Sequence, residues 1–261
     1  MTHPERSVGG EAEKTLPNRV VEHFLTRIFT GELAAGSKLP PDRELAGQLG
    51  VDRTSLRMAM QQLSRMGLVR AVRGSGVHVL DYREHAGLDF LAAIFALPDV
   101  SLGGAFLLQA LDDWIDVMPV IVGRALARAT RDEHRLLDAL LEKQLELLAK
   151  SKAVAEVVAL ELDLQDDITR LLGNTTLMLL RNSSRPLRRK LVALYFEETS
   201  VRDHVEAQRA LLAGARRGTP DAEQLAENYR QYLRLKTEPL RRRLQTLPVN
   251  PAIVSRRRRK F

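Results

Sequence analysis

Arg43-Glu44-Leu45-Ala46-Gly47-Gln48-Leu49, then Gly50-Val51-Asp52, then Arg53-Thr54-Ser55-Leu56-Arg57: the fold of the N-terminal region turns on this run. Leu45 and Leu49 are four apart, the spacing of a short helix with one buried side. Gly50 permits a reversal of the chain and Val51 fills the corner. Asp52 caps a second helix that runs to about Met66, with Leu56, Met60 and Leu63 on one face. Helix, tight turn, helix is the geometry that lays a second helix in a DNA major groove, where its first residues meet base edges and phosphates. Arg53, Thr54, Ser55 and Arg57 fill those positions. An arginine engages both acceptors of guanine, and hydroxyls suit phosphates or base edges.

The flanks extend the same unit. Upstream, Val20, Val21, Phe24, Leu25, Ile28 and Phe29 form the stripe of a one-sided helix that Gly31 ends. Pro40-Pro41 prepares the next helix start. Downstream, Gly67 stops the second helix of the run, and Val69 to Leu80 alternates about a Gly74-Ser75-Gly76 hairpin turn. Arg70 and Arg73 flank that turn, where basic side chains enter a minor groove. The expected unit is a winged helix-turn-helix over 17–80, three helices plus a two-stranded wing, preceded by a disordered leader over 1–16.

From Asp81 onward no strand pattern competes. Helices are expected over 84–96, 101–129, 131–150, 152–173, 175–196, 199–217 and 219–246, with kinks or boundaries at Pro119 and Pro186. The fold class is therefore mainly α. It comprises the winged head, a linker over 81–98, a helical effector-binding and dimerisation bundle over 99–248, and a basic tail over 249–261 that ends in Arg256-Arg257-Arg258-Arg259-Lys260.

The chain has 261 residues, 40 Lys+Arg against 33 Asp+Glu, a net charge of +7 and no cysteine. Disulfides, thiolate metal sites and a cysteine nucleophile are excluded. No apolar run reaches the ~20 residues of a membrane span. The first residues carry no signal-peptide core, so a cytoplasmic protein without membrane contact is expected. Neither a Gly-x-Ser-x-Gly elbow, a phosphate-binding loop nor a His-Glu-x-x-His pair occurs, which argues against an enzyme. The expected partners are double-stranded operator DNA, a small-molecule effector and a second copy of the chain, since two heads at fixed spacing match a pseudo-palindrome.

The run Gly36-Ser37-Lys38-Leu39-Pro40-Pro41-Asp42-Arg43-Glu44-Leu45-Ala46, the run Gly50 to Arg57, Leu63 to Val69, and Arg73-Gly74-Ser75-Gly76-Val77-His78-Val79 together resemble the GntR family of bacterial transcription regulators. The resemblance implies that Arg43 contacts phosphate, that Arg53, Thr54, Ser55 and Arg57 read the operator, and that Arg73 and Gly74 reach the minor groove. Many relatives carry a lysine between the wing glycines, where this chain has Ser75.

The helical remainder, with Tyr82 to Leu91 as a linker, resembles the FadR branch of that family. Most of that branch holds a metal with an Asp, a His four residues later and two further His. Here the positions are Asp163, Asp167, His204 and Tyr232, one imidazole and two carboxylates, a poor set for a transition metal. No metal and no cofactor is expected. The fatty-acid regulators of that branch lack the metal and bind long-chain acyl-CoA, which makes long-chain acyl-CoA the expected effector and fatty-acid metabolism the expected regulon. Each buried methylene gains ~0.8 kcal/mol. Phe106, Trp114, Ile115 and Met118 are the candidate lining of an acyl tunnel, with Tyr229, Arg230, Tyr232 and Lys236 completing the site and cations of the last helix gripping phosphates. A small carboxylate effector, with or without metal, is the alternative. Asp112, Asp113 and Asp116 read as a solvated helix stripe.

Overall fold

The computed structural model describes residues 15–97, 100–150, 154–216 and 221–254. These pack as two units, one through Phe90 and one over Leu91–Val254. In the first, α1 (Leu16–Phe29) starts with a proline in its first turn and buries Val20, Val21, Phe24, Leu25, Ile28 and Phe29. The helix begins at Leu16, so the expected leader ends earlier than residue 16, and residues 1–14 lie outside the described residues. α2 (Asp42–Leu49) ends at Gly50, whose φ of 65° is the left-handed conformation that a glycine adopts without a Cβ penalty. α3 (Arg53–Arg65) buries Leu56, Ala59 and Leu63 completely. α1 and α3 pack on each other to form the core of the head.

The wing is β1 (Val69–Val72) antiparallel to β2 (Gly76–Val79), with Val69 opposite Val79 and Ala71 opposite Val77. The loop before α2 adds a third strand-like edge. Gly36 and Leu39 donate backbone bonds of 2.8 Å to Val79 and Val77, and Val79 returns one of 2.9 Å to Ser37. The expected linker is structured: α4 (Tyr82–His85) and α5 (Leu88–Ile94) follow the wing. Tyr82 and Phe90 pack with Phe29, at ring separations of 5.1 to 5.9 Å, and so anchor this segment on the head.

The second unit contains α6 (Gly104–Arg128), α7 (Arg131–Lys150), α8 (Val154–Arg170), α9 (Thr175–Glu198), α10 (Val201–Arg216), α11 (Ala222–Lys236) and α12 (Glu238–Gln245). α6 is its axis and packs on α8, α9, α10, α11 and α12. Gly123 makes the approach of α11 possible, because a Cβ there would lie 2.2 Å from the carbonyl of Ala222. Pro119 and Pro186 sit inside α6 and α9, and neither ends its helix.

Two expectations are corrected. The stretch read as one helix over 219–246 is two, divided at Thr237, because Pro239 in the first turn of α12 lacks the N–H that a continuous helix needs. The region after Asp81 is not purely helical: β3 (Val100–Ser101) pairs antiparallel with β4 (Ala252–Ile253), so the start of the expected tail is part of the fold. Arg256 to Lys260 lie outside the described residues.

Candidate nucleic-acid interface and effector cavity

α2, α3 and the wing of the head each carry exposed polar side chains. Asp52 caps α3 with both oxygens: Oδ1 accepts the Ser55 backbone N–H at 2.8 Å and Oδ2 accepts the Ser55 hydroxyl at 2.6 Å. The Ser55 hydroxyl hydrogen bond, then its backbone N–H, hold the Asp52 carboxyl below its ordinary range. Ser55 is therefore committed to the start of the helix. Its neighbours Arg53, Thr54 and Arg57 are exposed.

Arg43 on α2 and Arg73 and Gly74 at the wing tip are exposed as well. Among the described residues no acidic side chain pairs with Arg43, Arg53, Arg57, Arg70 or Arg73. Such uncommitted guanidiniums on one small unit are what a polyanion requires.

Three exposed residues of the head escaped the sequence reading. Met58, 55% exposed, and Gln61 continue the stripe of Thr54 and Arg57 along α3. Their signal was the i, i+4, i+7 spacing from Thr54. Lys38 is the third. Lys38, His78 and Arg70 face one another across neighbouring strands, in one row on the wing. Ser75 holds His78 through a 2.8 Å contact between Oγ and Nε2. The lysine absent from the wing tip thus has a nearby counterpart on the adjoining loop, which only the folded sheet reveals.

The helical unit carries a buried polar network. Glu161 on α8 is 1% exposed; its Oε1 accepts from Gln165 Nε2 at 2.9 Å, and Gln208 Nε2 lies 3.2 and 3.1 Å from its two oxygens. His204 Nε2 stands 3.6 Å from the same carboxylate, while His204 Nδ1 meets the hydroxyls of Tyr195 and Tyr232 at 3.1 and 3.2 Å. Burial pushes the Glu161 carboxyl up, but the His204 charge and the hydrogen bonds outweigh it and hold it below its ordinary value. Beside it, Asp166 binds Arg181, Arg185 and Arg188. Burial, then Arg188, push the Arg181 guanidinium down to about 10.

The expected Asp163 and Asp167 are not part of the His204 cluster. Asp163 is exposed and bonds Arg185 at 2.8 Å, and Asp167 pairs with Arg170. Glu161 and Gln165 have the same four-residue spacing on the face that meets His204. One carboxylate saturated by amide donors, one imidazole and two phenols do not fit a divalent ion, and among the described residues no group of three such ligands forms.

Met118 and Tyr229 line an apolar cavity of about 30 Å³ with Val122, Leu126, Leu137 and Leu141. Trp114 packs edge-on against Tyr195 of the network and Tyr232 belongs to it, while Ile115 is buried on α6 without lining the cavity. Phe106 packs on Phe95 away from the cavity lining. Arg230 bonds Glu227 at 2.6 Å, and neither it nor Lys236 lines the cavity.

The family model for bacterial regulatory proteins of the gntR family matches residues 16–79. The HTH-type transcriptional regulator Mce2R of Mycobacterium tuberculosis is 35% identical over 131 residues, covering 48% of this chain and 55% of that protein. The chain spans about half the length of such mycobacterial relatives. The fatty acid metabolism regulator protein of Yersinia pestis is 27% identical over 185 residues, covering 69% of this chain and 72% of that protein. Among solved structures, Streptococcus agalactiae GntR superposes with a TM-score of 0.43 at 21% identity, covering 87% of this chain and 98% of that one.

Proposed function

Because residues 16–79 are a helix-turn-helix domain of the gntR family, we propose that the chain is a transcription regulator that binds a pseudo-palindromic operator as a homodimer and is released by a small-molecule effector. The observation that carries this is the set of unpaired, exposed cations on α2, α3 and the wing. Arg53 and Arg57 read bases, Arg43 holds phosphate, and Arg73 with Gly74 enters the minor groove.

The effector is long-chain acyl-CoA, and the regulated genes serve fatty-acid metabolism. Two observations support this reading. The alignment with the Yersinia fatty acid metabolism regulator protein runs over 185 residues, well past the DNA-binding domain. The cavity of the helical unit is lined mainly by leucine, valine, isoleucine and methionine, which suit an aliphatic tail, with Gln165, Gln208 and Tyr229 completing it. Its present volume is that of about one water molecule. Entry of a tail therefore requires the bundle to part, and such a two-state rearrangement is what couples an effector to the heads. A coupling of ~1–3 kcal/mol changes operator affinity roughly 5–150-fold.

The test is a titration of the operator complex with palmitoyl-CoA, octanoyl-CoA and free CoA. Release at micromolar palmitoyl-CoA, with far less release by the other two, is the expected result. Release only by a small dicarboxylate with added metal, or no dependence on chain length, overturns the effector assignment.

A further inference from the structure

A cleft of about 510 Å³ opens where the C-terminal end of α6, the N-terminal end of α7 and the C-terminal end of α10 meet. Its polar lining is Arg131, Arg135, Arg216 and His134. Arg131 has no acidic partner among the described residues. Arg135 pairs with Asp132 at 2.9 Å and Arg216 with Asp138 at 2.5 Å. Asp132 and Arg135 are both largely exposed, and such surface pairs exchange partners at little expense. His134 is only 5% exposed, yet its Nδ1 has no hydrogen-bond partner. Burial, then the charge of Arg216, hold His134 below the usual imidazole range.

The cleft and the apolar cavity share a wall. Leu126 lines both, and one turn deeper on α7 and α10 the cleft residues His134 and Ala215 give way to the cavity residues Leu137 and Leu212. The inward face of α7 then continues through Leu141 to Gln144, which is fully buried with neither its amide nitrogen nor its oxygen hydrogen-bonded. From His134 to Gln144 is roughly 15 Å of helix, apolar in the middle with an unsatisfied polar group at each end. Unmade bonds at both ends make α7 the wall whose displacement sacrifices least.

We propose that cleft and cavity are the two ends of one site for an amphipathic anion, with a phosphate-bearing head on Arg131, Arg135 and Arg216 and a long aliphatic tail threaded behind α7. This rests on the reading of the helical unit as an effector domain, and it moves the head group away from α11 and α12. There Arg230, Arg241, Arg242 and Arg243 already hold carboxylates. The head displaces Asp132 and Asp138 from their arginines and brings an acceptor to the mouth beside His134. The tail enlarges the cavity by moving α7, and that movement is the conformational signal. A coenzyme A thioester and a lysophospholipid both carry this chemistry.

The experiment is calorimetric binding of palmitoyl-CoA, palmitoyl lysophosphatidate and free palmitate to the full chain and to an Arg131→Ala/Arg135→Ala variant, both substitutions being at exposed positions. The variant should weaken both phosphate-bearing probes by at least roughly tenfold, the loss of one charge-assisted contact, and leave palmitate unchanged. Tighter binding of one phosphate-bearing probe than the other identifies the source of the head group and supports the site. Equal binding to wild type and variant overturns the site, while the effector reading survives if palmitoyl-CoA still releases the operator. Binding weakened by the variant but without operator release keeps the site and overturns the effector reading. Absence of binding by both phosphate-bearing probes overturns the site.

Discussion

The arginines of the winged head and those of the last two helices carry the same charge, yet they differ in what they touch. Arg43, Arg53, Arg57, Arg70 and Arg73 have no acidic partner among the described residues. On α11 and α12, Arg230 holds Glu227, Arg241 holds Asp112, Arg242 holds Glu238, and Arg243 holds Glu197 and Glu198 at 2.6 and 2.8 Å. A count of positive charges treats the two sets as equal. Pairing separates a surface available to a polyanion from one that stitches helices together. The acidic stripe on α6 is explained in the same way, since Asp112 and Asp116 are the partners of Arg241 and Arg234.

The paired extreme lies in the core. Asp166 is buried between Arg181 and Arg188, so Asp166→Asn leaves two guanidiniums without their counter-charge. Denaturant unfolding should show a loss of ~3–5 kcal/mol, with the operator affinity of the folded fraction unchanged. A smaller effect falls on the free extreme. Arg53→Ala should weaken operator binding by ~1–3 kcal/mol and binding to random DNA much less. Equal losses on both would make Arg53 a phosphate contact rather than a reader.

Smaller again is Arg243→Ala on the paired surface. It should change stability by ~0–1 kcal/mol and leave binding to any duplex as it was. A fall in nonspecific DNA affinity would erase the distinction between the two sets.

The smallest expected effect concerns pH. Burial, then Arg27, hold His23 on α1 at about 4 against an ordinary 6.5. The unfolded chain therefore binds the extra proton first. The contribution of neutral His23 is fully present above pH 6.5 and is lost as pH falls toward 4. Glu161 is shifted below its ordinary 4.5, so its contribution to the helical unit is present above that pH and lost only below it. The protection factors of the α1 amides, exchange rates corrected for the slower intrinsic exchange at lower pH, should fall between pH 6.5 and 4. Protection of α1 that stays constant over that range would contradict the assignment of His23.

The head was readable residue by residue because its signals are local. Gly50 must take a left-handed turn, Asp52 must cap α3, and Leu56 and Leu63 face α1 whatever follows in the chain. The helical unit was readable in kind but not in register. Asp163-x-x-x-Asp167 and Glu161-x-x-x-Gln165 have identical spacing on α8, and only the packing of α10 decides that Glu161 meets His204. Two-residue strands such as Val100–Ser101 have no period to detect, and their partner lies about 150 positions away along the chain. Lys38 escaped for a similar reason, since its place beside His78 depends on backbone bonds between a loop and a strand far apart in sequence.

The most direct test of the central claim, that pairing rather than charge decides which surface meets DNA, is the salt dependence of operator binding. Each phosphate contact removed lowers the slope of log affinity against log salt by ~0.9. Replacing Lys38, Arg43 and Arg70 by alanine should reduce that slope by roughly 2–3. Replacing Arg241, Arg242 and Arg243 should leave it unchanged. An equal reduction by the two triple variants would place α12 on the DNA and contradict the account.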